Sequence, residues 1–278
     1  MPVRKRILIV DDDPGVRESL KAGLDAPDRQ IESASGGLAA LHCIEAEPFD
    51  LILADVSLLS RIHQTRPGAK VIVTSASNTP ENMIGALRER AFSYIRRPFD
   101  ANHMTDLVQR ALSEASGEDD IEVLSAGPRW LGLRVRSKME AVYRVLPFLR
   151  EMVVDLPDAA RDHLITALRE ILFNAIEHGA GNDPGKKVTI TYIRTERALL
   201  YYVRDPGKGF SREKLEHAAV SNPNGSPLER AELRERLGLR PGGFGLLITS
   251  QLVDELIYNE PGNEVLLIKY INQNEKPA

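Results

Sequence analysis

The chain of 278 residues has a single cysteine, Cys43, which excludes an intramolecular disulfide framework and a zinc cluster built on cysteine pairs. Cys43 stands between Leu41 and Ile44 in a helical pattern, the setting of a packing residue. Such cysteine usage predicts a cytoplasmic protein. Long hydrophobic runs are also missing: nothing approaches the ~20 apolar residues that span a bilayer, so no membrane partner is expected. Arg4, Lys5 and Arg6 precede Ile7–Val10, but that run is too short for the core of a secretion signal. There is no excess of positive charge. The formal net charge is −4, which removes the electrostatic footprint of direct nucleic-acid binding. No Gly-x-x-x-x-Gly-Lys-Ser/Thr occurs, so phosphates are not held by a P-loop. What remains is ordinary globular composition, 42% hydrophobic and 27% charged, at a length that suggests two domains of roughly 100–200 residues each.

In the first half, strand and helix signals alternate. Ile7–Val10, Arg29–Ser33, Asp50–Ala54, Lys70–Thr74 and Ser93–Arg96 read as strands, with helices between them and a closing helix over Ala101–Ala115. This alternation predicts an α/β fold, a doubly wound five-stranded parallel sheet covered on both faces. In such sheets the chemistry lies beyond the carboxyl ends of the strands. Asp11 and Asp12 follow the first strand, Asp55 the third, Ser75 the fourth, and Arg97-Pro98 the fifth. Neighbouring carboxylates repel one another unless a cation is present, and hard oxygen ligands suit Mg²⁺. An Asp beside such an ion can attack a phosphoryl donor, while the Ser75 hydroxyl and the Arg97 guanidinium hold the transferred group.

Ile-Leu-Ile-Val-Asp11-Asp12-Asp-Pro, Asp55, Ser75-Ala76 and Tyr94-Ile-Arg-Arg97-Pro98-Phe99 resemble the receiver domain of two-component response regulators over about residues 3–116, which places a receiver domain at 1–116. The resemblance implies that Asp55 is the phospho-acceptor and that Asp11, Asp12, Asp55 and the carbonyl of Ser57 bind Mg²⁺. It also implies that Tyr94 is the switch aromatic, and that a sensor histidine kinase or phosphotransfer protein is the upstream partner. Two departures stand out. Arg97 occupies the place of the family's Lys, and a planar fork is not an ammonium. The stretch between Asp55 and Ser75 is shorter than the family's, without its Pro- and Gly-containing loop, so the third helix shrinks to about Leu58–Thr65.

A polar, acidic break surrounds the linker at 117–120, and residues 121–278 make the second domain. Its strands are expected at Ile121–Leu124, Leu131–Val135, Val188–Thr195 and Ala198–Arg204. A helix from Met139 to Val153 should bend at Pro147. Asp158 should cap a long helix on which Thr166, Glu170, Asn174 and His178 recur at four-residue spacing, a row that an α-helix stacks on one face. Asp205-Pro-Gly207-Lys-Gly209-Phe210 follows a strand, where a carboxylate can accept from a buried adenine amino group and glycine lets a base approach the backbone. Gly242-Gly243-Phe-Gly245-Leu246 opens a helix whose N-terminus suits phosphates. Asn174 can ligate Mg²⁺ through its amide oxygen, and Glu170, one turn away, can orient or deprotonate a hydroxyl.

Glu170-x-x-x-Asn174, Asp205-x-Gly207-x-Gly209 and Gly243-x-Gly245 occur in the order of the GHKL-type (histidine-kinase-like) ATPase superfamily, and Asn174-Ala-x-Glu-His178-Gly resembles its branch of anti-sigma-factor serine/threonine kinases. The resemblance implies an α/β two-layer sandwich that binds ATP and Mg²⁺. In it Glu170 is the candidate base, Asn174 the metal ligand, Asp205 the adenine reader, and Ser211–Pro241 the lid. Two functions follow. One is a response regulator whose output is an anti-sigma-type serine/threonine kinase controlled through Asp55, acting on an anti-sigma-antagonist-type protein. The other is a nucleotide-binding switch that sequesters a sigma factor or other partner without turnover. A histidine kinase ranks below both, because none of His42, His63, His103, His163, His178 and His217 stands in a two-helix dimerisation hairpin. A homodimer is compatible with either reading.

Overall fold

Short runs of β-branched and leucine residues form the central strands of the first sheet, and the computed structural model shows why these runs need few polar residues: both of their faces are covered. The structure describes residues 4–76, 79–99, 101–114, 120–209 and 245–271. They fall into two units, Met1–Asp119 and Asp120–Ala278. In the first unit, β1 (Lys5–Val10), β2 (Arg29–Ala34), β3 (Leu51–Ala54), β4 (Val71–Ser75) and β5 (Ser93–Arg96) alternate with α1 (Pro14–Leu24), α2 (Gly37–Ala46), α3 (Val56–Thr65), α4 (Pro80–Arg88) and α5 (Ala101–Ser113). The sheet order is β2-β1-β3-β4-β5, and every pairing is parallel.

Alternation along the strands sorts the side chains to the two faces. Ile7, Ile9, Leu51, Leu53 and Ile72 pack with Leu20 and Leu24 of α1 and with Met104, Leu107 and Val108 of α5. Leu8, Ile52 and Val73 point the other way and are equally buried. Each such side chain contributes roughly 1.5–3 kcal/mol on removal from water. The strands therefore hold their C-terminal ends in line, and those ends carry Asp11, Asp55, Ser75 and Arg97.

α3 differs from expectation in its start. It begins at Val56, directly after Asp55, and the Asp55 side chain is its N-cap. With no loop residues between strand and helix, the acid itself satisfies one of the first free amide groups, that of Ser57.

In the second unit, β6 (Ile121–Gly127), β7 (Trp130–Arg136), β8 (Lys187–Arg194), β9 (Ala198–Arg204), β10 (Glu255–Tyr258) and β11 (Glu264–Tyr270) form an antiparallel sheet in the order β10-β11-β9-β8-β7-β6. Its inward residues alternate: Leu131, Leu133 and Val135; Val188, Ile190 and Tyr192; Leu199, Tyr201 and Val203. The helices are α6 (Met139–Glu151), α7 (Asp158–Asn174) and α8 (Gly245–Leu252). α7 packs against both α6 and α8.

Three local expectations change. α6 runs through Pro147 unbroken, with Val145, Leu146, Phe148 and Leu149 buried on both sides of the proline. Asp158 does not cap α7. It is the first helical residue after Pro157 and makes no cap hydrogen bond; its carboxylate pairs with Arg161 instead. The row ending in His178 is broken, because α7 stops at Asn174 and Ala175–Ala180 continues as a π-helical turn. A π turn closes i→i+5 hydrogen bonds, so a residue four positions on no longer stacks above its predecessor. His178 is exposed, while Ala175, Ile176 and Ala180 are buried.

Candidate functional site

At the C-terminal end of the first sheet, Asp11 is buried and its Oδ1 accepts the N–H of Asp13 at 2.9 Å. Its Oδ2 forms an ion pair with the Arg97 guanidinium. Arg97 donates its backbone N–H to the Ser75 carbonyl at 2.8 Å and its Nη2 to Thr74 Oγ1 at 3.4 Å. The Arg97–Pro98 peptide is cis. Ser75 is fully buried, as is Tyr94 apart from 2% of its surface. Asp12 is exposed. Asp55 Oδ1 accepts the N–H of Ser57 at 2.9 Å. Ser57 thus turns its N–H toward Asp55, while its carbonyl lies in the first turn of α3, where helical carbonyls point toward the far end. Among the described residues, no group of three or more His, Cys, Asp or Glu side chains is placed to hold a metal ion. Asp11, Asp12 and Asp55 share one end of the sheet, where both Asp11 oxygens and one Asp55 oxygen are engaged with the protein's own groups and Asp12 is exposed. As they stand, they do not fit a Mg²⁺ ion.

In the second unit, the π turn delivers a glycine to the end of β9. A Cβ added to Gly179 would lie 2.2 Å from Asp205 Cγ, and one added to Gly207 would lie 2.5 Å from the Gly179 carbonyl oxygen. Only glycine permits this approach at either position. Asp205 Oδ1 accepts the Gly207 N–H at 2.7 Å. Burial raises the pKa of Asp205, and the Gly207 hydrogen bond opposes the rise only in part. A desolvated carboxylate with one oxygen committed to the backbone is a suitable acceptor for an amino group on a flat ligand.

The loop between β10 and β11 backs the same corner. Asp205 N–H donates to the Asn263 carbonyl at 3.0 Å, Asn263 Nδ2 donates to the Gly207 carbonyl at 3.2 Å, and Asn259 Oδ1 accepts from the N–H groups of Gly262 and Glu264. Gly209 has φ of +79° and comes so close to Pro261 that a Cβ would meet the Pro261 oxygen at 1.8 Å. Sequence reading missed this support. Its only signal was the Pro261-Gly262-Asn263 turn.

Asn174 closes α7 and is half-buried. The Glu170 side chain is 16% exposed, with Arg169 Nη2 at 3.5 Å. The π turn that follows Asn174 brings Gly179 onto Asp205. Gly245 opens α8. Gly243 and the lid, Ser211–Pro241, lie outside the described residues.

The first sheet belongs to a parallel α/β domain, and the second is an antiparallel sheet accompanied by helices. Comparison with known proteins agrees with that division. Residues 7–109 match the response regulator receiver domain, and residues 135–269 match the histidine kinase-like ATPase domain. The chain thus joins a response-regulator receiver domain to a histidine-kinase-like ATPase domain. The DNA-binding transcriptional regulator NtrC of Rhizobium meliloti (strain 1021) is 31% identical over 52% of this chain and 32% of its own length. NtrC of Azospirillum brasilense is 26% identical over 81% of this chain and 47% of its own. The chain spans less than half the length of these curated relatives. Among solved structures, a CheY-like response regulator receiver domain protein from Methanospirillum hungatei JF-1 is 32% identical, with a TM-score of 0.38, over 39% of this chain and 94% of that one. No helix among the described residues is long and apolar enough to cross a membrane.

Proposed function

We propose that this protein is a two-component response regulator whose output is an ATP-dependent serine/threonine protein kinase of the anti-sigma type, controlled through Asp55. The observation that carries the reading is the fit of Gly179 and Gly207 around the Asp205 carboxylate. It leaves a desolvated acceptor at the end of β9.

ATP bound there would supply the phosphoryl group, with Mg²⁺ balancing its charge. The chain's own residues would do the rest. Asp205 would accept the adenine amino group through its uncommitted oxygen, and Gly207 and Gly209 would let the base lie on the backbone. Asn174 would offer its amide oxygen to the metal. Gly243 and Gly245, before and at the start of α8, would face the phosphates with free N–H groups. Glu170, four residues before Asn174 on α7, would orient and deprotonate a hydroxyl of the protein substrate. Ser75 and Arg97 would contact a phosphoryl group on Asp55, delivered by a sensor histidine kinase or a phosphotransfer protein. The substrate class would be an anti-sigma-antagonist-type protein.

Transfer of labelled phosphate from ATP to candidate substrates tests this, with wild type compared with Glu170→Ala. The expected result is transfer by the wild type only, with nucleotide affinity the same in both. Nucleotide binding without transfer by the wild type would replace the kinase with a switch that holds a sigma factor or other partner.

A further inference from the structure

The acidic end of the first sheet already contains a cation of its own. Asp11 Oδ2 is paired with the Arg97 guanidinium, and the two side chains are 4% and 23% exposed. The other Asp11 oxygen takes the Asp13 N–H at 2.9 Å. Arg97 is held at two further points, by the Ser75 carbonyl at 2.8 Å through its backbone and by Thr74 Oγ1 at 3.4 Å. One oxygen of Asp55 is taken as well, by the Ser57 N–H at 2.9 Å. The abrupt start of α3 at Val56 aims the Ser57 carbonyl down the helix.

We propose that Arg97 occupies the place of a divalent cation at this end of the sheet, so that Mg²⁺ reaches Asp11 only after Arg97 lets it go. The proposal is independent of the kinase reading, since it concerns the first unit alone. Two positive groups compete for one buried carboxylate. The apparent affinity of the metal is reduced by the fraction of molecules in which Asp11 is released. Asp12 and Asp13, the neighbouring acids, are exposed and offer no enclosed alternative. Arg17 does not replace Arg97 on the carboxylate, because its Nη1 is engaged with the Asp11 and Asp12 carbonyls at 2.7 and 3.1 Å. One guanidinium nitrogen, Nη2, makes both the Asp11 and the Thr74 contact, and a more strongly hydrated ammonium at position 97 would hold Asp11 less firmly.

Calorimetric titration of the full chain with MgCl₂, without nucleotide, tests the proposal. Arg97→Gln removes the competing charge and is expected to bind Mg²⁺ at least about tenfold more tightly than wild type. Arg97→Lys is expected to fall between the two. Adding Asp11→Asn to Arg97→Gln should abolish the gain, which locates it at this site. Equal or weaker affinity in both Arg97 variants would overturn the proposal, as would a gain that survives Asp11→Asn.

Discussion

The carboxylate of Asp205 rests against the backbone of Gly179, so closely that a methyl group on Gly179 would stand 2.4 Å from its Oδ1. Gly179→Ala must therefore push Asp205 aside or unwind the π turn. Overpacking of this kind costs roughly 1–3 kcal/mol, equivalent to about five- to 150-fold in an equilibrium. ATP affinity measured by calorimetry should fall by about that much. Gly181→Ala, at a position with nothing within 4 Å of the new atom but with φ of +70°, should lower stability and leave affinity nearly unchanged.

Asp205 also predicts a pH dependence. Its pKa is raised above the ordinary 3.8, chiefly by burial. The folded state then holds its proton to higher pH than the unfolded state does, so stability falls as pH rises from the unfolded value through the folded one. Asp205→Asn should remove that slope. Denaturant unfolding of the two proteins at several pH values between about 3.5 and 6 checks it; parallel curves would count against a desolvated acid here.

Asp155 has the opposite sign. The Arg194 guanidinium hydrogen-bonds both its oxygens, and that contact holds its pKa below 3.8. Here stability is present above the unfolded value and is lost as pH falls through the folded one. The Asp155 side chain is 51% exposed, which screens the pair, so Arg194→Ala should cost only about 1 kcal/mol near neutral pH. The difference between variant and wild type in chemical denaturation should shrink as Asp155 is protonated.

Tyr201 lies fully buried against Tyr192, with ring centroids 4.9 Å apart. Tyr192 donates its hydroxyl to the Met152 carbonyl at 3.3 Å, whereas the Tyr201 hydroxyl has no hydrogen-bond partner among the described residues. A buried, unsatisfied hydroxyl costs about 1–3 kcal/mol. Tyr201→Phe should therefore raise stability by a measurable fraction of that, while Tyr192→Phe should not. A fall in the melting temperature of Tyr201→Phe would show that the hydroxyl is satisfied after all.

Much of this architecture was legible in the sequence. Ile7–Val10, Leu51–Ala54 and Val71–Ser75 are apolar on every residue or nearly so, as strands buried on both faces must be. The period of two in Leu131, Leu133 and Val135 marked a strand with one covered face. The positions of Asp11, Asp55, Ser75 and Arg97 at strand ends followed from those runs. What stayed hidden depends on contacts that periodicity does not encode. The π turn after Asn174 is set by where Ile176 and Ala180 are buried and by the approach of Gly179 to Asp205, a residue 26 positions further along. The choice between an Arg97 that awaits a phosphoryl group and one already paired with Asp11 depends on two side chains far apart in the chain. The capping role expected of Asp158 failed because Pro157 stands at the N-cap, so Asp158 is already inside the helix.

Strand β3 passes into α3 without a spacer, and Asp55 is the one residue at the seam. A flexible connection would absorb whatever happens to that carboxylate within a few bonds. A rigid seam does not. Any group joined to Asp55 pushes directly on the ten residues of α3, including the buried Leu59 and Ile62, so a local chemical event there becomes the tilt of a lever.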